Sequence, residues 1–285
     1  MTNIIYSILL FNILIVVFKM FEKYNVNNIQ ALIFNYLTAG FCSYLFLEKD
    51  FSLGYIINAG WIFHAIAIGI LFILTFILYA YGVQKVGISI ATISNKMSLI
   101  IPVATAIILY DEELTPIKGL AFLLALYSIY LSSTKEGKLR FDRRYIWLIF
   151  LIFLGQGISD SIFNDFAQKF DHERKHLFFM VLFFIASISG LIIHHLKQPQ
   201  ETIFFKIKNL FWGVILGVPN FFCLVFFLRA LEASIFNSSI VFAIVSIGIV
   251  ITSSLLGILF FKEKLNRANW IGILMSILTI YILSH

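Results

Sequence analysis

Apolar residues run along this chain in long blocks, and polar residues gather in the short gaps between them. Ten such blocks occur, at 3–19, 30–47, 60–81, 87–110, 116–133, 145–168, 176–196, 209–230, 234–261 and 268–284. About 20 apolar residues in helical conformation cross the hydrocarbon core of a bilayer, so each block predicts a membrane-spanning α-helix. The gaps carry charge or turn residues: Lys19 to Asn28; Glu48, Lys49 and Asp50; Asp111, Glu112 and Glu113 with Pro116; and Lys262, Glu263 and Lys264. Blocks three and four are parted only by a tight turn near Gln84 to Gly87.

Composition agrees with this pattern. Hydrophobic residues make up 60% of the 285 and charged residues 13%, with a mean hydropathy of +0.95. A soluble domain is roughly half apolar and a quarter charged, so lipid must serve as the outer solvent here. The loops leave no room for a soluble domain. Both cysteines, Cys42 and Cys223, fall inside apolar blocks, which argues against a disulfide framework. The predicted class is an all-α integral membrane protein with ten transmembrane helices.

The two halves of the chain echo each other. Glu112 with Leu114 matches Glu263 with Leu265, and Tyr130 matches Tyr281 at the same offset. Gly69 matches Gly217, and Glu22, Lys23 and Tyr24 match Gln168, Lys169 and Phe170. The common order predicts a duplicated unit: one five-helix repeat at 1–134, a basic linker at 135–144, and a second repeat at 145–285. An odd number of spans per copy forces the copies to be inverted in the membrane. Inverted repeats are characteristic of secondary transporters, which bind substrate near the midplane between the copies.

With these features the chain resembles the drug/metabolite transporter superfamily, in its ten-helix EamA-type branch. The local likeness is an acidic residue ending the fourth helix of each copy, followed by a glycine-bearing fifth helix. Glu263 through Gly272 fits well, whereas the first copy has Ala121 where the glycine is expected and Gly119 two residues earlier. Pro102 in the fourth span also suits the family, and the ninth span lacks its equivalent. The resemblance implies an exporter or exchanger of small metabolites in the inner membrane. It further implies that the fourth and sixth helices line a central cavity and that the fifth and tenth lie at the periphery.

Basic residues predict the orientation. Fourteen Lys and Arg fall on the side of the central linker and six on the other, with Lys96 in neither group. The excess marks the cytoplasmic side, which places both termini outside. The first span has no basic leader or small-residue cleavage site and is read as retained. The net charge of +6 is then a loop property and implies no nucleic-acid partner.

Candidate chemistry lies in the polar residues that interrupt the apolar blocks. Lys96 sits deep in the fourth span, where a charge costs about 3 kcal/mol on insertion scales. Ser89, Thr92 and Lys96 share one helical face. In the sixth span Gln156, Asp160 and Asn164 recur every four residues and form a polar stripe. Interhelical hydrogen bonding is the bland alternative for the stripe, and snorkelling or neutral burial for the lysine. Lys96 and Asp160 differ in expected depth by about 9 Å, so a direct pair requires helix stagger. Asn12, Asn35 and His64 are single polar residues, equally suited to packing or to ligand contact. Pro219 and Asn220 interrupt the eighth span, where a break frees backbone groups.

The expected function is a secondary carrier working by alternating access on a small polar, amino-acid-like metabolite. Lys96 would hold a carboxylate. Asp160 would either hold an amine or exchange a coupling proton. Thr92, Gln156, Asn164, Asn220 and Asn12 complete the expected site. No cofactor, metal or ATP drive is expected: no HExxH site, nucleophile elbow or phosphate-binding loop is present. The alternatives are an intramembrane enzyme and a channel or structural subunit.

Overall fold

The structure is a computed structural model that describes residues 2–47, 52–110, 115–135, 138–139, 143–170, 174–197, 206–233, 236–261 and 266–284. The charged gaps at 48–50, 111–113 and 262–264, with Glu112 and Glu263, lie outside the described residues, as do Leu114, Leu265 and parts of the basic linker. The described helices are α1 (Thr2–Lys23), α2 (Asn28–Leu45), α3 (Leu53–Ile57), α4 (Ile62–Lys85), α5 (Ile88–Met97), α6 (Ile100–Tyr110), α7 (Pro116–Ser133), α8 (Ile146–Lys169), α9 (Lys175–Lys197), α10 (Ile207–Ala233), α11 (Ser238–Phe261) and α12 (Arg267–Ser284). Among the described residues, the extended pairing is limited to Thr134–Lys135 against Lys138–Leu139.

Among the described residues, seven stretches are long and apolar enough to cross a membrane: Thr2–Lys23, Ile62–Lys85, Ile90–Tyr110, Ile146–Lys169, Lys175–Lys197, Ile207–Glu232 and Ser238–Phe260. The chain is therefore an all-α membrane protein. Large apolar side chains such as Phe63, Ile108, Trp147 and Leu259 stand exposed on its flanks, as a lipid-facing surface requires. Helices α2, α7 and α12 occupy the other three predicted ranges, at 18 residues each.

Local chemistry explains two departures from ten simple rods. Gly87 turns the chain from α4 into α5 at φ 94°, a left-handed conformation that a side chain would strain. The fourth predicted span is split into α5 and α6. Pro102 has no N–H to donate to the Ser98 carbonyl and its ring crowds that oxygen. The amide of Ile101 bonds Ser98 O instead at 2.9 Å, and Leu99 bonds Lys96 O at 3.2 Å, so the helix tightens and breaks there. Pro219 has the opposite outcome. The expected interruption of the eighth span is absent, because α10 runs helically through Pro219 while neighbouring helices hold it on both sides.

Helix α2 packs between α9 and α10, and α9 packs between α2 and α4. Helix α1 lies on α10 and α11, and α8 lies on α4, α5 and α6. Helices α7 and α12 pack mainly on each other, joined by a hydrogen bond from Asn269 Nδ2 to Leu131 O at 3.1 Å. Close approach is set by glycine. A Cβ on Gly69 of α4 would lie 2.7 Å from the Leu182 carbonyl oxygen of α9. A Cβ on Gly217 of α10 would lie 2.6 Å from the Asn35 carbonyl oxygen of α2, and one on Gly213 2.6 Å from that of Ala31. Small residues of this kind let backbones touch where lipid provides no hydrophobic drive between helices.

Gly217→Val should therefore push α10 off α2 and cost about 1–3 kcal/mol, read as a lower unfolding midpoint in detergent. Gly54→Ala is the control: its Cβ would meet only Ser52 Oγ at 4.0 Å. Its midpoint should hold within about 0.5 kcal/mol. Equal midpoints for the two variants would contradict the close-packing account.

Candidate functional site

A partly open cavity lies between α1, α4, α5, α8, α10 and α11. It leaves about 70 Å³ of room for water centres, several times what one water needs. Its polar wall is Ser7, Lys96, Gln156, Asp160, Asn220, Ser246 and the Cys223 thiol. Phe11, Phe72, Phe76, Phe163, Phe227 and Phe242 supply most of the apolar wall.

Lys96 is 7% exposed and stands in the last turn of α5. The break before α6 thus places the ammonium at the negative end of a helix, which favours a cation there. Its Nζ lies 3.9 Å above the Phe11 ring centroid, a cation–π contact across to α1. Among the described residues it makes no hydrogen bond or ion pair, and no carboxylate comes within 4.0 Å. The charge is buried and turned to the cavity, and it feels the Asp160 carboxylate across a gap rather than through a contact.

Asp160 faces the same cavity from α8. Gln156 Nε2 donates to its Oδ1 at 2.8 Å, and Asn95 Nδ2 of α5 donates to Gln156 Oε1 at 2.8 Å. This relay ties α5 to α8 and fixes the amide so that its N–H points at the carboxylate. Asn220 joins the wall from α10 and donates from Nδ2 to Asn35 Oδ1 of α2 at 3.2 Å.

The other expected site residues lie elsewhere. Thr92 is fully buried and shares a 2.9 Å hydrogen bond with Tyr79 OH, outside the cavity wall. Asn12 bonds the Ile8 carbonyl and Thr252 Oγ1 of α11, both at 2.7 Å, and locks α1 to α11. Asn164 is buried away from the wall, and among the described residues neither of its amide atoms has a hydrogen-bond partner. No side-chain environment is described for Ser89. The structure thus brings together Lys96, Gln156, Asp160 and Asn220, and sets Thr92, Asn12 and Asn164 apart. Sequence reasoning missed Asn95, Ser7, Ser246 and Cys223. Asn95 was findable as the polar neighbour of Lys96, whereas lone serines in apolar helices carry no signal.

A second polar cluster lies beyond the cavity, at the end of α8. Asp165 accepts hydrogen bonds from Tyr110 OH at the end of α6, from His64 Nε2 near the start of α4 at 2.8 Å, and from Lys169 Nζ at 2.9 Å. His64 is therefore not a solitary polar residue. Among the described residues, no group of three His, Cys, Asp or Glu is placed to hold a metal ion.

No protein-family profile matches the chain. It is similar to an uncharacterised protein of Haemophilus influenzae, 29% identical over 291 residues, covering 100% of this chain and 98% of that one. A crystal structure of another protein shares the fold at a TM-score of 0.71 and 13% identity, covering 99% of this chain and 94% of the other. The whole architecture therefore exists as a solved fold.

The relay makes a direct prediction. Gln156→Leu leaves Asn95 Nδ2 buried without its acceptor and strips a donor from Asp160. It should lower stability by about 1–3 kcal/mol in detergent unfolding. Thr92→Val also loses a buried hydrogen bond, to Tyr79, but should leave ligand binding unchanged. A binding loss in Thr92→Val would return that residue to the site.

Proposed function

We propose that this protein is a secondary carrier of the drug/metabolite transporter kind. In this reading it has ten spans in two inverted five-helix copies and sits in the inner membrane. It moves a small zwitterionic, amino-acid-like metabolite by alternating access. The observation that carries the reading is Lys96 and Asp160, opposite charges on one cavity, with no ion-pair contact between them. Each charge is costly in low dielectric unless something answers it. A ligand with a carboxylate and an amine answers both.

The packing supports the duplication. Exchanging the first five spans for the last five turns α2–α10 into α9–α4, α1–α10 into α8–α4, and α1–α11 into α8 on α5 and α6. All of these contacts occur. The pairs α2–α9, α5–α11 and α7–α12 exchange into themselves. Individual contacts follow the same rule at an offset of 147–149 residues. Gly69 meets Leu182 as Gly217 meets Asn35. Thr75 meets Gly155 as Cys223 meets Ser7, and Ser161 meets Thr105 as Asn12 meets Thr252. Contacts that repeat this way favour a carrier over a structural subunit, because a cavity at the axis of inverted copies can open to either side.

Proteoliposomes loaded with one amino acid and assayed for exchange against labelled partners test the reading. Saturable exchange is expected, and non-saturating flux or chemical alteration of the solute overturns it. Lys96→Met should reduce exchange about 30-fold or more, the effect of leaving the ligand's carboxylate without its buried partner. If Asp160 holds the amine, Asp160→Asn weakens binding itself. If it exchanges a proton, uphill transport fails while downhill exchange persists. Normal transport by both variants would remove the pair from the site. Labelling of an added C-terminal cysteine in intact cells is expected, and protection from an impermeant reagent would reverse the orientation.

A further inference from the structure

The polar cluster at Asp165 plays no part in the cavity just described, yet three helices converge on it. One carboxylate holds the start of α4, the end of α6 and the last turn of α8. Two residues earlier on α8, Phe163 lines the cavity and stacks on Phe227 of α10 at 5.9 Å. Phe227 in turn meets Phe242 of α11 edge-on at 5.0 Å. These three rings form a row across the cavity at the end where α8 finishes. Two residues along a helix are about 200° apart, so Phe163 and Asp165 point to nearly opposite sides. The last turns of α8 are thus held between the aromatic row and the Asp165 cluster.

The other end of the cavity is closed differently. The 148-residue offset takes His64 to Trp212, Asp165 to Val17 and Tyr110 to Ile258, all apolar. Near that place Phe21 and Trp212 meet edge-on at 6.2 Å. The equivalent residues are apolar, and the polar contacts nearby run to backbone groups instead: Lys208 Nζ donates to the Tyr24 and Asn25 carbonyls at 2.9 and 2.8 Å, and the Asn27 amide donates to Asn209 Oδ1 at 3.1 Å. The carboxylate cluster is therefore particular to the α8 end.

We infer that the Asp165 cluster is the latch of one gate: its hydrogen bonds hold α8 against α4 and α6, which keeps the Phe163–Phe227–Phe242 row shut over the cavity. Opening toward that face requires α8 to leave Tyr110 and His64 and carry Phe163 out of the row. Opening toward the other face separates the α1–α10 contacts at Tyr24, Asn25 and Asn27 and leaves the Asp165 cluster intact. The inference rests on the carrier reading for its purpose, but not for its test.

Cys223 is a native reporter, because its thiol lies in the cavity wall. In a Cys42→Ser background it is the single thiol of the chain. A membrane-impermeant maleimide is applied to intact cells and, separately, to inverted vesicles. A parallel Gln168→Cys, Cys223→Ser chain identifies the face at which α8 ends. Asp165→Asn and Tyr110→Phe should each raise the Cys223 labelling rate from that face about tenfold, the effect of losing one charge-assisted hydrogen bond. The rate from the opposite face should not rise. Unchanged rates, or equal rises from both faces, overturn the latch. A second arm does not depend on those variants being well folded. A His64→Cys, Asp165→Cys pair, bridged by a short bifunctional methanethiosulfonate, should protect Cys223 from that face until the bridge is reduced. Labelling of the bridged pair at the reduced rate also overturns the latch. Labelling needs no substrate: if the latch variants respond while no amino acid exchanges, the carrier reading falls and the latch stands.

Discussion

Helices in lipid gain little by hiding apolar surface from one another, so how closely their backbones can approach decides how they associate. Here that approach is made where Gly69 of α4 meets α9 and where Gly213 and Gly217 of α10 meet α2, with carbonyl oxygens nearer than a Cβ would allow. These contacts fix α2 and α9 as a spine, with α4 and α10 on either side. The remaining helices must then close around whatever space the spine leaves. That space is the cavity, and its walls come from helices whose mutual contacts are thinner, notably α10 with α8 and α11. A tightly packed frame beside a loosely packed site is the arrangement that movement around a fixed ligand requires.

Within the cavity the chemistry is economical. Lys96 is made tolerable by a helix end and an aromatic face, and neither of these consumes its charge. Asp160 is oriented by Gln156, itself held by Asn95. A direct Lys96–Asp160 pair would neutralise the site and leave little for a ligand to gain. Keeping the two apart preserves both as handles, at a cost in stability that the frame elsewhere sustains.

Much of this was legible in the sequence, for identifiable reasons. Helix positions followed from apolar blocks, because lipid forces every spanning backbone to satisfy itself internally. Lys96, Gln156 and Asp160 stood out because polar atoms in such blocks are expensive. Gly69 and Gly217, paired in the sequence, each mark a close backbone approach, to Leu182 and to Asn35. What failed was the step from polarity to place. Thr92 shares a helical face with Lys96, yet Tyr79, thirteen residues earlier, claims its hydroxyl. Asn12 and Asp160 both interrupt apolar blocks, but one locks helices and the other faces the cavity. The Asp165 cluster joins residues up to 101 positions apart, beyond the reach of any local pattern. Pro102 and Pro219 differ in outcome because packing, not the ring alone, decides whether a helix breaks.

The break at Pro102 has a mechanical side. Helix α6 is a rigid rod of 11 residues, hinged at Ser98 and Leu99 beside Lys96 and tipped by Tyr110. At 1.5 Å per residue it is a lever about 16 Å long, so a swing of about 10° at the hinge moves its tip by about 3 Å. That stroke is enough to part the Tyr110 hydroxyl from Asp165. The rod thus joins a base beside Lys96 to a tip on Asp165, so that the cavity and the cluster share one element.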